Sequence, residues 1–359
     1  MRSLIPTPRP RDESRRDEGA VLVWVGLMLT VLLGLGAVVI DAGALYTERR
    51  QLQNGADAGA LAVARDLAAG NAIDEHSMAD TYADANANDG ASNIDQVCGS
   101  GPGLEPCPAP PAGADGVTGY VQVSTSTAEP DGGDQVEFLF APILDAANVG
   151  RTVDATAVAA WGPTAATATF PFTFSVCEFE HFGGSIAGGT VPSGTNFIYS
   201  HKSPPEVAGW DCGINPNSGS DFPGGFGFLD NEYCVAEVTN GWVGGDTGNV
   251  MKGCTAADLQ ELRGQTVAIP LYDQTQGTGS NAEFHIVGFA GFTFHGYKLP
   301  PDEWANDGPP WQEQGSNWIC PDTTGDSGTC IYGEFTEVAV DGEIGSGNNY
   351  GSSSISMIG

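Results

Sequence analysis

AVLVWVGLMLTVLLGLGAVVI, residues 20–40, is an apolar run without a single charged side chain. At about 1.5 Å of rise per residue, a helix of that length crosses the ~30 Å hydrocarbon core of a bilayer. Arg2, Arg9, Arg11, Arg15 and Arg16 precede it, while only Arg49 and Arg50 follow closely. This bias places the N-terminus in the cytoplasm and everything after Asp41 outside. Cys98, Cys107, Cys177, Cys212, Cys234, Cys254, Cys320 and Cys330 all follow the span, an even count that suits a compartment permitting disulfides. Ala42-Gly43-Ala44 has the small-x-small form of a signal-peptide cleavage site. The apolar run, however, exceeds the roughly 7–15 residues of a signal h-region. The segment is therefore read as a retained anchor.

The helix continues outward. Residues 41–70, DAGALYTERRQLQNGADAGALAVARDLAAG, contain no Pro and are rich in helix formers,. Leu52, Ala56, Gly59, Val63 and Leu67 recur at helical spacing as a narrow apolar stripe. The helix is expected to run to about Ala69. Gly26, Thr30 and Gly34 are spaced by four inside the span, and Gly55 and Gly59 repeat the spacing outside it. Lipid supplies no hydrophobic drive between helices, so close backbone approach at small residues is what brings them together. These five positions are the candidate helix-packing sites.

The pattern Asp41-x-Gly43, then Tyr46-x-Glu48-Arg49-Arg50-x-Leu52-Gln53-Asn54-x-Ala56-Asp57-Ala58-x-Ala60-Leu61-Ala62, resembles the N-terminal region of TadE/TadG-like proteins of Flp-type (tight adherence) pilus assembly. The resemblance covers about residues 18–69. It implies an anchored, pilin-like helix, an exported C-terminal region and partners among other pilus-assembly or membrane proteins. It implies no enzymatic activity. Prepilin-type processing would follow a Gly such as Gly19 and calls for a Glu five residues into the mature chain. Trp24 holds that place, so processing is not expected. A metal-dependent adhesion motif of the D-x-S-x-S type is also missing.

From Asp66 onward five basic residues stand against 38 acidic ones, within a chain of 359 residues and formal charge −32. No basic surface exists to displace counterions from phosphates, which excludes nucleic acid as a partner. Gly is 51 of 359, about twice the usual ~7%, yet enough apolar residues remain for a core. Residues 71–90 read as a second helix, and 98–116, rich in Pro, as a loop that Cys98 and Cys107 close. Strands are expected at Val117 to Val123, Val136/Phe138/Phe140 and Val153 to Trp161, forming a small antiparallel sheet under the long helix.

Gly162-Pro163 and the Thr/Ala-rich stretch to Thr169 mark a boundary. Beyond it, period-two runs at Phe170 to Val176, Phe197/Tyr199, Val267 to Leu271, Phe284/Ile286, Phe292/Phe294 and Ile331 to Val340 predict a mostly-β, disulfide-braced domain. Ala256 to Arg263 is its clearest helix. The fold class is thus α+β: a cytoplasmic tail (1–19), a transmembrane helix (20–40), a helix with a small sheet (41–162) and an extracytoplasmic β domain (163–359). Cys320 and Cys330 are expected to pair around PDTTGDSGT. Pairing among Cys177, Cys212, Cys234 and Cys254 stays open.

Chemistry is sparse. No zinc spacing, nucleophile elbow or Walker-type run occurs, so no catalytic, metal or cofactor residue is assigned. His285 and His295 share a strand but lie roughly 33 Å apart if it is straight, and they read as ordinary strand histidines. Asp322-x-x-Gly325-Asp326-x-Gly328 resembles a calcium turn but lacks the EF-hand spacing and its distal Glu, so it reads as an acidic turn. Trp210, Trp242, Trp304, Trp311 and Trp318 read as core side chains. Were they exposed together, the competing reading would be a tethered adhesin that binds glycan or protein.

Overall fold

The computed structural model describes residues 14–114, 116–128, 130–185, 189–199, 227–246, 251–278, 281–305 and 329–358. Its first element, α1 (Ser14–Ala68), is one continuous helix of 55 residues, as the Pro-free sequence requires. At its end Gly70 adopts φ +71° while the amides of Gly70 and Asn71 close on the carbonyls of Leu67 and Asp66. This left-handed finish is one glycine takes without strain. Then α2 (Glu75–Asn86) starts at Asp74, whose carboxylate accepts from the Ser77 amide at 2.9 Å,.

Strands β1 (Ser92–Ser100) and β2 (Gly119–Thr127) follow, then a short ribbon of β3 (Val136–Glu137) and β4 (Gly150–Arg151) around the single turn α3 (Ala141–Leu144). Next come β5 (Asp154–Thr169), β6 (Phe174–Ser175), α4 (Val176–His181), β7 (Thr195–Tyr199), β8 (Ala236–Thr239), β9 (Gly241–Gly244) and α5 (Ala256–Glu261). The chain ends with β10 (Thr266–Gln276), β11 (Glu283–Leu299), β12 (Asp302–Ala305), β13 (Cys330–Thr336), β14 (Val338–Val340), β15 (Glu343–Ile344) and β16 (Ser352–Met357).

Two curled sheets result. The first has the order β1-β2-β5-β16-β14, with β8 and β15 on the far half of β5. The second has the order β6-β10-β11-β13-β7, with β9 and β12 also on β11. The second sheet is nested within the first. The chain leaves β5 for β6, builds the second sheet with one visit back to the first at β8, and returns from β13 to β14 and β16. The boundary expected at 162/163 therefore falls inside one strand, with β16 paired to residues 159–163 of β5 and β8 to residues 166–169. Across the seam the Thr169 hydroxyl of β5 donates to the Ala268 carbonyl of β10.

Each sheet has its own core. The long helix lays Leu52, Ala56, Val63 and Leu67, all buried, toward the first sheet. There Ala56, Ala60, Val63, Ala64 and Leu67 meet Val121, Val123, Ala157, Ala159 and Trp161. Alanine on both sides keeps helix and sheet close. The second core is aromatic, with Phe172, Phe174, Phe179, Phe228, Phe292 and Phe294 fully buried in it. The long helix on a small antiparallel sheet and the mostly-β region are both as the sequence predicts.

Local expectations need correction. Val136/Phe138/Phe140 do not join the first sheet. Only Val136 and Glu137 pair, with Arg151 and Gly150. The amides of residues 139–141 are engaged by a side chain of α1, so they are unavailable for a ladder. Val176 begins α4 rather than extending a strand, because Ser175 and Glu178 form a reciprocal capping box,. Cys98 pairs with Cys107, as expected, and Cys234 with Cys254. Cys177 and Cys330 are also disulfide-bonded. Cys212 and Cys320 lie outside the described residues, as do the turn at 322–328 and Trp210, Trp311 and Trp318.

Candidate membrane-junction site

In the first half of α1 the large side chains from Val21 to Ile40 are mostly exposed, Leu22 with 75% of its surface. A core helix of a water-soluble protein would be covered, and a surface in water rarely carries an apolar band of this size. A helix satisfies its own peptide groups, as lipid demands. This is the one helix among the described residues that is long and apolar enough to cross a membrane.

The five small residues divide into two sets. A Cβ at Gly26 or Gly34 would meet nothing within 4 Å, and the Thr30 hydroxyl donates to the Gly26 carbonyl at 2.9 Å. That face is open, with its one polar group satisfied. Gly55 and Gly59, by contrast, are already used inside the chain. A Cβ at Gly55 would stand 3.1 Å from the Ala83 Cα, and one at Gly59 3.2 Å from the Ala79 carbonyl oxygen. The second helix docks there through its two buried alanines, Ala79 and Ala83.

Between the two sets stands Asp41, the first charged residue after the span and only 8% exposed. Its Oδ1 accepts from the Leu139 amide at 2.9 Å and the Phe140 amide at 3.2 Å. Its Oδ2 accepts from the Phe140 amide at 3.2 Å and the Ala141 amide at 2.7 Å. The turn α3 has no cap from its own N-cap side chain, and Asp41 supplies one from α1. A carboxylate at the edge of an apolar span is costly unless paired, and three backbone donors pair this one. Sequence reading placed Asp41 in a family motif but gave it no role. An acid immediately after an apolar run was the available signal, whereas its partner loop, a hundred residues on, carried none.

Elsewhere the polar contacts are local. His285 Nδ1 lies 2.6 Å from Asp273 Oδ1, and its ring centroid lies 5.1 Å from that of Trp242. His295 instead faces Tyr332, with centroids 5.9 Å apart. The two histidines have different partners and do not form a site together. Of the five tryptophans in question, Trp242 alone has a described side chain, and it is 44% exposed. Lys252 pairs with buried Asp246, whose hydrogen bond and charge raise the ammonium pKa above its ordinary value. Among the described residues, no group of three or more His, Cys, Asp or Glu is placed to hold a metal ion.

These features define a class: a helix-anchored protein whose apolar half is bare and whose other half is built into a β-rich domain. Residues 19–66 match the family model described as putative Flp pilus-assembly TadE/G-like. The match spans the bare half of α1, Asp41, and the stretch that carries Gly55 and Gly59. No curated protein and no solved structure matches the chain.

Proposed function

We propose that this protein is a membrane-anchored, non-catalytic component of Flp-type (Tad) pilus assembly or a related surface structure. It sits with its N-terminus in the cytoplasm and its acidic, disulfide-containing bulk outside. The observation that carries this reading is that the family match takes in the whole uncovered apolar half of α1. Partner membrane helices approach the open face at Gly26, Thr30 and Gly34, where small side chains allow close backbone contact. The ectodomain contributes contacts outside the membrane. The test is affinity purification of the full chain from detergent-solubilised membranes, with the mature N-terminal peptide read from the same sample. Recovery of Flp-pilus secretion components with an uncleaved N-terminus supports the role, and their loss from a Gly26→Leu/Gly34→Leu variant assigns the face. A chain found free in the medium and starting near Leu45 contradicts it.

A further inference from the structure

The loop joining β3 to β4 turns large apolar side chains outward at the base of the ectodomain. Leu139 is 69% and Ile143 77% exposed, and Val149 is also exposed. Their location gives this meaning. Phe140 and Ile143 stand against Leu33, Ala37 and Ile40 of the span and bound an apolar cleft of about 420 Å³. Leu33 precedes Asp41 by eight positions, so the loop reaches roughly 12 Å down the helix from Asp41. A bilayer that surrounds Val21 to Ile40 also surrounds these side chains. The peptide donors that lipid would penalise most, those of 139–141, are the ones Asp41 accepts,.

We propose that residues 138–149 are a second membrane contact, a foot that inserts Leu139 and Ile143 into the acyl-chain region of the outer leaflet beside the span. The inference rests on the membrane-anchored reading above. The recognised chemistry is the lipid acyl chain and not an anionic headgroup. Asp131, Asp134 and Glu137 precede the loop, Asp145 lies toward its far end and Arg151 follows it, the reverse of the Lys/Arg-rich face that binds acidic lipid. A single helix leaves its domain free to rotate and tilt. A foot locked to that helix through Asp41 fixes which face of the ectodomain looks along the membrane.

The test uses the full chain in neutral phosphatidylcholine vesicles containing lipid brominated along its acyl chains. An environment-sensitive fluorophore is placed at Leu139→Cys or Ile143→Cys, with Leu29→Cys as the span control and Ala72→Cys as the ectodomain control. Quenching at 139 and 143 at least threefold that at 72, unchanged by dilution in lipid and not increased by anionic lipid, is the expected result. Quenching at 29 without quenching at 139 and 143 overturns the foot and leaves the anchor standing. Absence of quenching at 29 overturns the anchor itself. Quenching at 139 and 143 that vanishes on dilution points to a second copy as the occupant and also overturns the proposal. The unsubstituted chain gives an independent readout: a photoactivatable acyl-chain lipid must label the peptide containing 138–144 as well as the span peptide, and labelling of the span alone refutes the foot.

Discussion

A glycine inside a helix costs about 1 kcal/mol relative to alanine, and Gly55 is kept at that cost because α2 lies against it. Gly55→Leu drives a side chain into the Ala83 backbone and is expected to destabilise the ectodomain by about 2–3 kcal/mol, the upper part of the range for overpacking. Gly26→Leu meets empty space and leaves the same thermal melt unchanged, so the pair separates folding from partner binding. Asp41→Ala leaves three amides without their acceptor. At about 1–3 kcal/mol for a buried donor left unpaired, hydrogen exchange at 139–141 should quicken by tenfold or more while the sheets stay protected. Exchange unchanged at those amides would mean that the carboxylate does not hold the loop. Tyr297 is a further case: burial chiefly, with the neighbouring Asp302 carboxylate, pushes its phenol up to about 12. Its neutral form is favoured by folding, so this contribution is intact below the unfolded value of about 10 and is lost as pH rises toward 12. Burial also raises Tyr332 and Tyr350, so alkaline titration of Tyr297→Phe should lose one of several late-ionising tyrosines, the one that titrates at about 12.

Among the elements, those whose burial follows a simple period were readable. Leu52, Ala56, Gly59, Val63 and Leu67 mark one helical face, and all five are buried. β11, with Phe284, Phe289, Phe292 and Phe294, and β13 alternate over much of their length as half-buried strands do,, whereas β10 is buried without interruption from Ala268 to Tyr272. Phe292, fully buried at the centre of the aromatic core and edge-on to Phe294 and Phe335, should cost about 3–5 kcal/mol on truncation to Ala, read as a loss of denaturation midpoint. Strands built from polar residues were not readable. Ser352, Ser353 and Ser354 of β16 are buried, satisfied by contacts such as Ser354 Oγ to Thr164 Oγ1 at 3.1 Å, and no hydropathy pattern announces them. β1, SNIDQVCGS, is missed for the same reason. Val136/Phe138/Phe140 erred in the other direction, since their alternation divides a loop lying against the apolar helix rather than a sheet. The candidate site was half legible: the apolar span and its small residues were visible, but Asp41 gripping 139–141 joins segments too far apart in sequence for any period to link.

At the scale of the whole molecule, one continuous helix connects a bare apolar half to a folded acidic domain, and the rest of the account depends on lipid covering that half. The most direct check is alkaline carbonate extraction of membranes from cells making the full chain, with the intact mass of the retained protein determined in the same fraction. The account predicts a full-length chain that stays in the membrane pellet. Release into the carbonate supernatant, or a retained species lacking residues 20–40, would contradict it.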